Sequence, residues 1–283
     1  MIIFKRPADL RSYLLAKETP RQATGFIPTM GALHSGHISL ITKARNENQL
    51  VICSIFVNPT QFNDPKDFEK YPSTIENDIC LLEQSACDIL FLPSVMDIYP
   101  NGIDIIRQYD LGPLERILEG QFRPGHFQGV CQVVNRLLEI VMPGKLYLGQ
   151  KDFQQCMVLK KLISLLGIDT EVIVCPTLRE PDGLAMSSRN LRLNQTERKT
   201  ATAIYHALLT IKDNIKLGDT RLLTQSARQN LSEAGFKVDY VEIAKSETLE
   251  ILQSWDGTTP LVTLAAAYLN DIRLIDNLLI QAS

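Results

Sequence analysis

The chain has 283 residues and 45% hydrophobic content, enough for two modest domains with a substantial core. Its 29 Lys and Arg against 32 Asp and Glu leave a formal charge of −3, so no overall basic field points to nucleic acid. No apolar run is long enough to span a bilayer, and residues 1–15 mix Lys5, Arg6, Asp9 and Arg11 with apolar residues, so neither a membrane partner nor a signal-peptide core is expected. Six cysteines, none in a Cys-x-x-Cys pair, read as small buried hydrophobes of a reducing compartment, and the expected location is cytoplasmic.

Along the chain, the first half alternates strand-like and helix-like segments. Strands are predicted over residues 23–27, 50–57, 88–92, 145–148 and 170–174, and helices over 38–47, 74–85, 127–141 and 153–166. The near-continuous apolar run at 50–57 is that of a strand buried on both faces. Strands separated by helices of this length imply right-handed crossovers and a parallel sheet, so the fold class is α/β. The pattern changes after Pro176. A polar loop over 179–189 is followed by Asn194 as a helix cap with Glu197 as its capping-box partner. Helices over 195–216 and 220–234 and strands over 239–243, 261–268 and 272–280 then give a smaller α+β domain. The expected division is 1–175 and 176–283.

Between the first predicted strand and helix lies Thr29-Met30-Gly31-Ala32-Leu33-His34-Ser35-Gly36-His37. A helix N-terminus presents unpaired N–H groups and partial positive charge, which attract phosphate. Small residues let phosphate approach the backbone. Imidazoles donate to phosphoryl oxygens and carry a proton near neutral pH. The chemistry indicated is phosphoryl or nucleotidyl transfer. Gly31 and Gly36 have P-loop spacing, but His37-Ile38 replaces the lysine and hydroxyl, and no Gly-x-Gly-x-x-Gly fingerprint is present. What remains, His34-x-Gly36-His37, is similar to the signature of nucleotidyltransferases that cut ATP between its α and β phosphates. The gap of three puts both imidazoles near one face of the first turn.

Other stretches carry polar chemistry, each with a plain structural reading beside it. Asn58-Pro59-Thr60-Gln61-Phe62 follows the second strand; its amides suit hydroxyls or a carboxylate, or it is a polar turn broken by Pro59. Gly149-Gln150-Lys151-Asp152 is a second strand-to-helix turn. Lys151 suits charge on a transferring phosphoryl group, Asp152 caps the helix or accepts from a ribose hydroxyl, and Gln155 lies one turn on. Ala185-Met186-Ser187-Ser188-Arg189-Asn190 fits a mobile phosphate clamp or an ordinary surface loop. Arg123 meets an anionic ligand or solvent. Asp78 helps hold Mg²⁺ or is an exposed helical aspartate, with Mg²⁺ expected mainly through ATP phosphates.

In this order the pieces closely resemble the pantoate–β-alanine ligase (pantothenate synthetase) family of the His-x-Gly-His nucleotidyltransferases. The matching segments are Pro28 through His37, Phe56-Val57-Asn58-Pro59-Thr60-Gln61-Phe62, Arg123-Pro124-Gly125-His126-Phe127, Gly149-Gln150-Lys151-Asp152-Phe153-Gln154-Gln155 and Asp182 through Asn190. The chain departs from the family pattern at Gln150, where glutamate is common, and at Ser73, where arginine follows Tyr-Pro. The resemblance implies a Rossmann-like nucleotidyltransferase domain that binds nucleotide and pantoate, followed by a C-terminal lid. It implies ATP with Mg²⁺, pantoate and β-alanine as small-molecule partners, a pantoyl-adenylate intermediate, and a homodimer. It carries ATP contacts onto Met30, Gly31, Ala32, Leu33, His34, Ser35, Gly36 and His37, onto Gly149, Gln150, Lys151 and Asp152, onto Leu178, and onto the closing loop Met186, Ser187, Ser188 and Arg189. Catalytic roles fall on His34, His37 and Lys151, with His37 as proton donor. Gln61 and Gln155 match the pantoate ligands, with Asn58 and Arg123 as further substrate candidates and Asp78 as the metal candidate.

Overall fold

Every residue of the strand Leu50–Ile55 is buried, as a central parallel strand covered on both faces requires. The computed structural model describes residues 1–17, 19–63, 68–103 and 107–281. They fall into two compact units, one of residues 1–149 with 158–176 and one of residues 150–157 with 177–283. The first holds six strands: β1 (Ile2–Phe4), β2 (Thr24–Thr29), β3 (Leu50–Ile55), β4 (Ile89–Phe91), β5 (Lys145–Gly149) and β6 (Glu171–Cys175). They form one parallel sheet in the order β1-β4-β3-β2-β5-β6.

The intervening helices are α1 (Pro7–Ala16), α2 (Ser35–Glu47), α3 (Ile75–Gln84), α4 (His126–Val141) and α5 (Phe153–Leu166). In α4 only Arg136 and Glu139 escape burial, so this helix lies inside the core rather than over it. Ile27, Leu40, Ile41, Val51, Leu82 and Leu90 pack together around the strands. β1 and α1 are additions to the predicted elements. β1 is only three residues long, and Pro7 at the start of α1 supplies a helix-ready φ with no N–H to satisfy.

The second unit contains α6 (Gln195–Ala201), α7 (Ala203–Asn214) and α8 (Arg221–Glu233). Its strands are β7 (Gly218–Asp219), β8 (Phe236–Lys245), β9 (Ser254–Trp255), β10 (Leu261–Leu269) and β11 (Ile272–Ile280). β8, β10 and β11 make an antiparallel sheet in the order β11-β10-β8, and β7 pairs with β9. Leu208, Ile211, Leu231, Val241, Leu261 and Leu274 form the shared core. The α/β class with a smaller α+β part is therefore the observed architecture. The predicted single helix over 195–216 is instead two, broken at Thr202. The capping box is present: Asn194 Oδ1 accepts the N–H groups of Thr196 and Glu197 at 2.9 Å each, and Glu197 accepts the Asn194 N–H at 2.9 Å.

Candidate active site

Three adjacent strands of the parallel sheet, β3, β2 and β5, end side by side. Thr29 pairs with Ile55, and the register that aligns Gly25 with Lys145 carries Gly149 to the same edge. The chain runs outward from β2 through β3 and β4, then returns to lay β5 on the other side of β2. Such a reversal opens a crevice at the carboxyl ends of the strands, where ligands of open α/β sheets bind. The signature, the Asn58–Gln61 stretch and Gly149 all lie at this edge.

Beyond β2 the backbone passes through two successive left-handed residues, Gly31 at φ +84° and Ala32 at φ +49°. This geometry turns consecutive N–H groups toward one point, a concavity suited to an anion. The anion is the protein's own: Asp78 accepts the N–H of Ala32 on Oδ2 and that of Leu33 on Oδ1, each at 2.9 Å. Thr74 Oγ1 donates to the same carboxylate at 3.0 Å. Asp78 is wholly buried, so it is not an exposed helical aspartate. A Cβ on Gly31 would sit 3.1 Å from Asp78 Oδ2, on a backbone that other residues rarely adopt. The observed work of both Asp78 oxygens is to hold the turn. Among the described residues no group of three or more His, Cys, Asp or Glu could hold a metal ion.

The two histidines start α2. His34 is its N-cap in extended conformation, and its Nδ1 accepts the Gly36 N–H at 3.1 Å. His37 Nδ1 accepts the His34 N–H at 3.3 Å. This is a capping box made of two imidazoles, in positions where Ser or Thr and Glu are usual. A ring nitrogen that accepts carries no proton, so each neutral ring holds its proton on Nε2. The cap therefore fixes the tautomer, and both rings present an Nε2–H donor. Their centroids are 4.1 Å apart with planes tilted by 43°, and both side chains are partly exposed.

Gln61 ends a 3-10 turn over Pro59–Gln61. Its Nε2 lies 2.9 Å from Met30 Sδ, so the structure joins the first residue of the signature loop to the second stretch. Asn58 Nδ2 donates to Gln61 Oε1 and to the Gly129 carbonyl, both at 3.2 Å. Asn58 Oδ1 accepts from Tyr99 Oη at 2.8 Å and from Thr60 Oγ1 at 3.1 Å. Asn58 is thus buried and fully engaged, and its observed work is to hold the turn that presents Gln61. Two residues given no role from the sequence share that work. His126 Nδ1 donates to the Gln61 carbonyl at 2.8 Å. Gly129 lets α4 approach so closely that a Cβ there would fall 2.3 Å from the Thr60 carbonyl oxygen. Arg123 Nη1 is 3.6 Å from the buried Glu119 carboxylate.

In the second unit, Gln150–Asp152 is a 3-10 turn leading into α5, whose first turn carries half-buried Gln155. Asn277 of β11 donates through Nδ2 to the Gln150 and Lys151 carbonyls, both at 2.9 Å, and its Oδ1 accepts from Gln150 Nε2 at 3.1 Å. The neighbouring Asp276 holds Arg179 through two bonds of 2.6 and 2.9 Å. The Arg179 guanidinium also lies 4.0 Å from the Tyr205 ring centroid. Burial pushes the Asp276 carboxyl up, while Arg179 pulls it back down. Arg179 bridges Ala185, and the Met186 N–H donates to the Leu178 carbonyl at 3.1 Å, closing a small hairpin. Ser187 caps the 3-10 turn Ser188–Arg192 by accepting the Arg189 N–H at 3.3 Å. The sequence signal for Asp276 and Asn277 is a polar pair inside a strand otherwise made mainly of Ile and Leu.

The family model for pantoate-beta-alanine ligase matches residues 2–279. The chain belongs to the pantoate–β-alanine ligase family. It is 44% identical to a pantothenate synthetase from Cytophaga hutchinsonii over 99% of both chains. It is 45% identical to one from Fervidobacterium nodosum over 91% of both. Among solved structures, pantothenate synthetase from Thermus thermophilus superposes with a TM-score of 0.90 at 40% identity, covering 99% of this chain and 100% of the other. The pantoate-beta-alanine ligase of Francisella tularensis, complexed with beta-gamma ATP and beta-alanine, gives 0.82 at 41% identity, covering 99% and 97%. Membership of the family makes the chain a ligase, and its fold is that of these enzymes. Among the described residues no helix is long and apolar enough to cross a membrane.

Proposed function

We propose that the chain joins pantoate to β-alanine at the expense of ATP, in two steps. In the first, a pantoate carboxylate oxygen attacks the α-phosphorus of ATP, giving pantoyl adenylate and pyrophosphate. In the second, the β-alanine amine attacks the acyl carbon, giving pantothenate and AMP. Activation is needed because a carboxylate does not condense with an amine at neutral pH, whereas a mixed anhydride has a good leaving group. The observation that supports this reading is the imidazole capping box at the carboxyl edge of the sheet, which commits both Nδ1 atoms to the helix start and leaves the ring protons on Nε2.

In the first step negative charge concentrates on the phosphoryl oxygens. Donors whose direction is already fixed stabilise it without reorganising. His34 and His37 are such donors because their other nitrogens are committed to the helix start. His37 donates a hydrogen bond through Nε2–H to the departing pyrophosphate, and Lys151 neutralises α-phosphate charge. Residues 30–37, 149–152, Leu178 and 186–189 bind ATP, with Mg²⁺ arriving on the ATP phosphates. Gln61 and Gln155 hold pantoate. No protein nucleophile is required. The acting form is a homodimer in the cytoplasm.

Two measurements test the proposal. Purified protein supplied with ATP and pantoate exchanges labelled pyrophosphate into ATP, and omission of pantoate abolishes the exchange. Addition of β-alanine then releases AMP in equal amount to pantothenate. Pyrophosphate exchange without pantoate, or AMP release only as a nucleotide conjugate, would overturn it.

A further inference from the structure

The polar pair on β11 is unexpected on stability grounds. Asn277 is 1% exposed and Asp276 is 5% exposed, in a strand otherwise made mainly of Ile and Leu. Buried polar groups cost free energy unless fully paired, and apolar residues of similar size would serve the core at least as well. Both groups are paired, and the partners are not core residues. The Asn277 amide is spent on the carbonyls of Gln150 and Lys151 and on the Gln150 side chain. Asp276 is spent on Arg179, which also donates to the Gly183 and Asn277 carbonyls. Adjacent residues of a strand project to opposite faces. One dipeptide therefore grips two separate loops, the turn bearing Lys151 and the hairpin bearing Leu178 and Met186.

We propose that Asn277 is a positioning residue for the first reaction step: by fixing two consecutive carbonyls it sets the backbone from which the Lys151 side chain projects. Asp276 does the same for the Leu178–Met186 hairpin through Arg179. Neither touches substrate. This rests on the reading that Lys151 acts on ATP, and its content is that the effect of Asn277 passes through Lys151.

The test is a double-mutant cycle on pantoate-dependent pyrophosphate exchange. Asn277→Asp keeps the shape but turns an acceptor on two carbonyls. It is expected to lower kcat at least tenfold on the wild-type background. On a Lys151→Ala background the same change is expected to cost less than twofold, because there is no ammonium left to misplace. Arg273→Gln, on the same strand as Asn277, breaks the ion pair to Asp239 of β8 and serves as the control; it is expected to lower thermal stability without a selective loss of kcat. If the carboxylate variant fails to fold, Asn277→Ser carries the same comparison. A folded Asn277 variant with kcat within twofold of wild type would overturn the proposal. So would losses that multiply with those of Lys151→Ala. Failure of the underlying functional reading shows separately, as wild-type protein with no pantoate-dependent exchange.

Discussion

Asp78 Oδ2 accepts the Ala32 N–H at 2.9 Å, although the two residues lie 46 positions apart in the chain. The bond sustains a left-handed alanine, a conformation that costs roughly 1–2 kcal/mol without support. Asp78→Asn replaces one acceptor by a donor facing backbone N–H groups. It is expected to lose about 1–3 kcal/mol of stability and to slow pyrophosphate exchange by about a hundredfold through displacement of the histidines. Thermal unfolding and exchange kinetics check both. Unchanged exchange in a folded variant would remove Asp78 from the site.

The histidines form a cap, and the proposed function gives them a catalytic role as well; two substitutions separate the two. His34→Ala is expected to lose about 1 kcal/mol of stability with the cap and roughly a hundredfold to a thousandfold in exchange rate. His34→Asn restores a good N-cap, so it recovers the stability while leaving the rate low. Recovery of both by asparagine would show that capping is the whole contribution. His37→Ala is expected to keep the fold and lose a similar factor in rate.

Gly129→Ala tests the Gln61 turn from behind. The added methyl has no room beside the Thr60 carbonyl, so the turn must shift. The expected result is a cost of about 1–3 kcal/mol and a larger rise in KM for pantoate than for ATP. Gln155→Ala is expected to show the same substrate bias with little effect on stability. Equal changes in both KM values would contradict the assignment of these residues to pantoate.

Cysteine reactivity gives a pH-dependent test of the core. Cys80 is exposed and the other five are buried. Burial pushes the Cys87 and Cys175 thiols up to about 11 and Cys131 up to about 12. The thiolate is the reactive form, so these groups stay protonated and inert at pH 8. A disulfide reagent is expected to titrate one thiol of the native protein at pH 8, faster at pH 9, and none in Cys80→Ser. Rapid reaction of two or more native thiols would contradict the buried set.

Much of this was legible in the chain. The apolar run around Val51 announced a central strand, and the two glycines and two histidines were placed correctly between a strand and a helix. The Asn194–Glu197 capping box was readable because its residues are local. What escaped were long-range partnerships. Nothing near Asp78 in sequence says that its carboxylate fills a turn at residues 31–33. Nothing near Gly129 says that a carbonyl from the Thr60 turn lies where its side chain would be. β1 escaped because three residues on a sheet edge carry no period of their own. The division of 195–216 escaped because Thr202 keeps helical dihedrals while ending one helix and starting the next.

The grip of Asn277 on the Gln150 and Lys151 carbonyls has a consequence for biosynthesis. The turn at Gln150 and Lys151 is translated well before its clasp, which lies 127 and 126 residues further along the chain. A nascent chain can therefore build its parallel sheet well before it owns a finished turn at Lys151. A chain ending before Asn277 would lack the donor that fixes these two carbonyls.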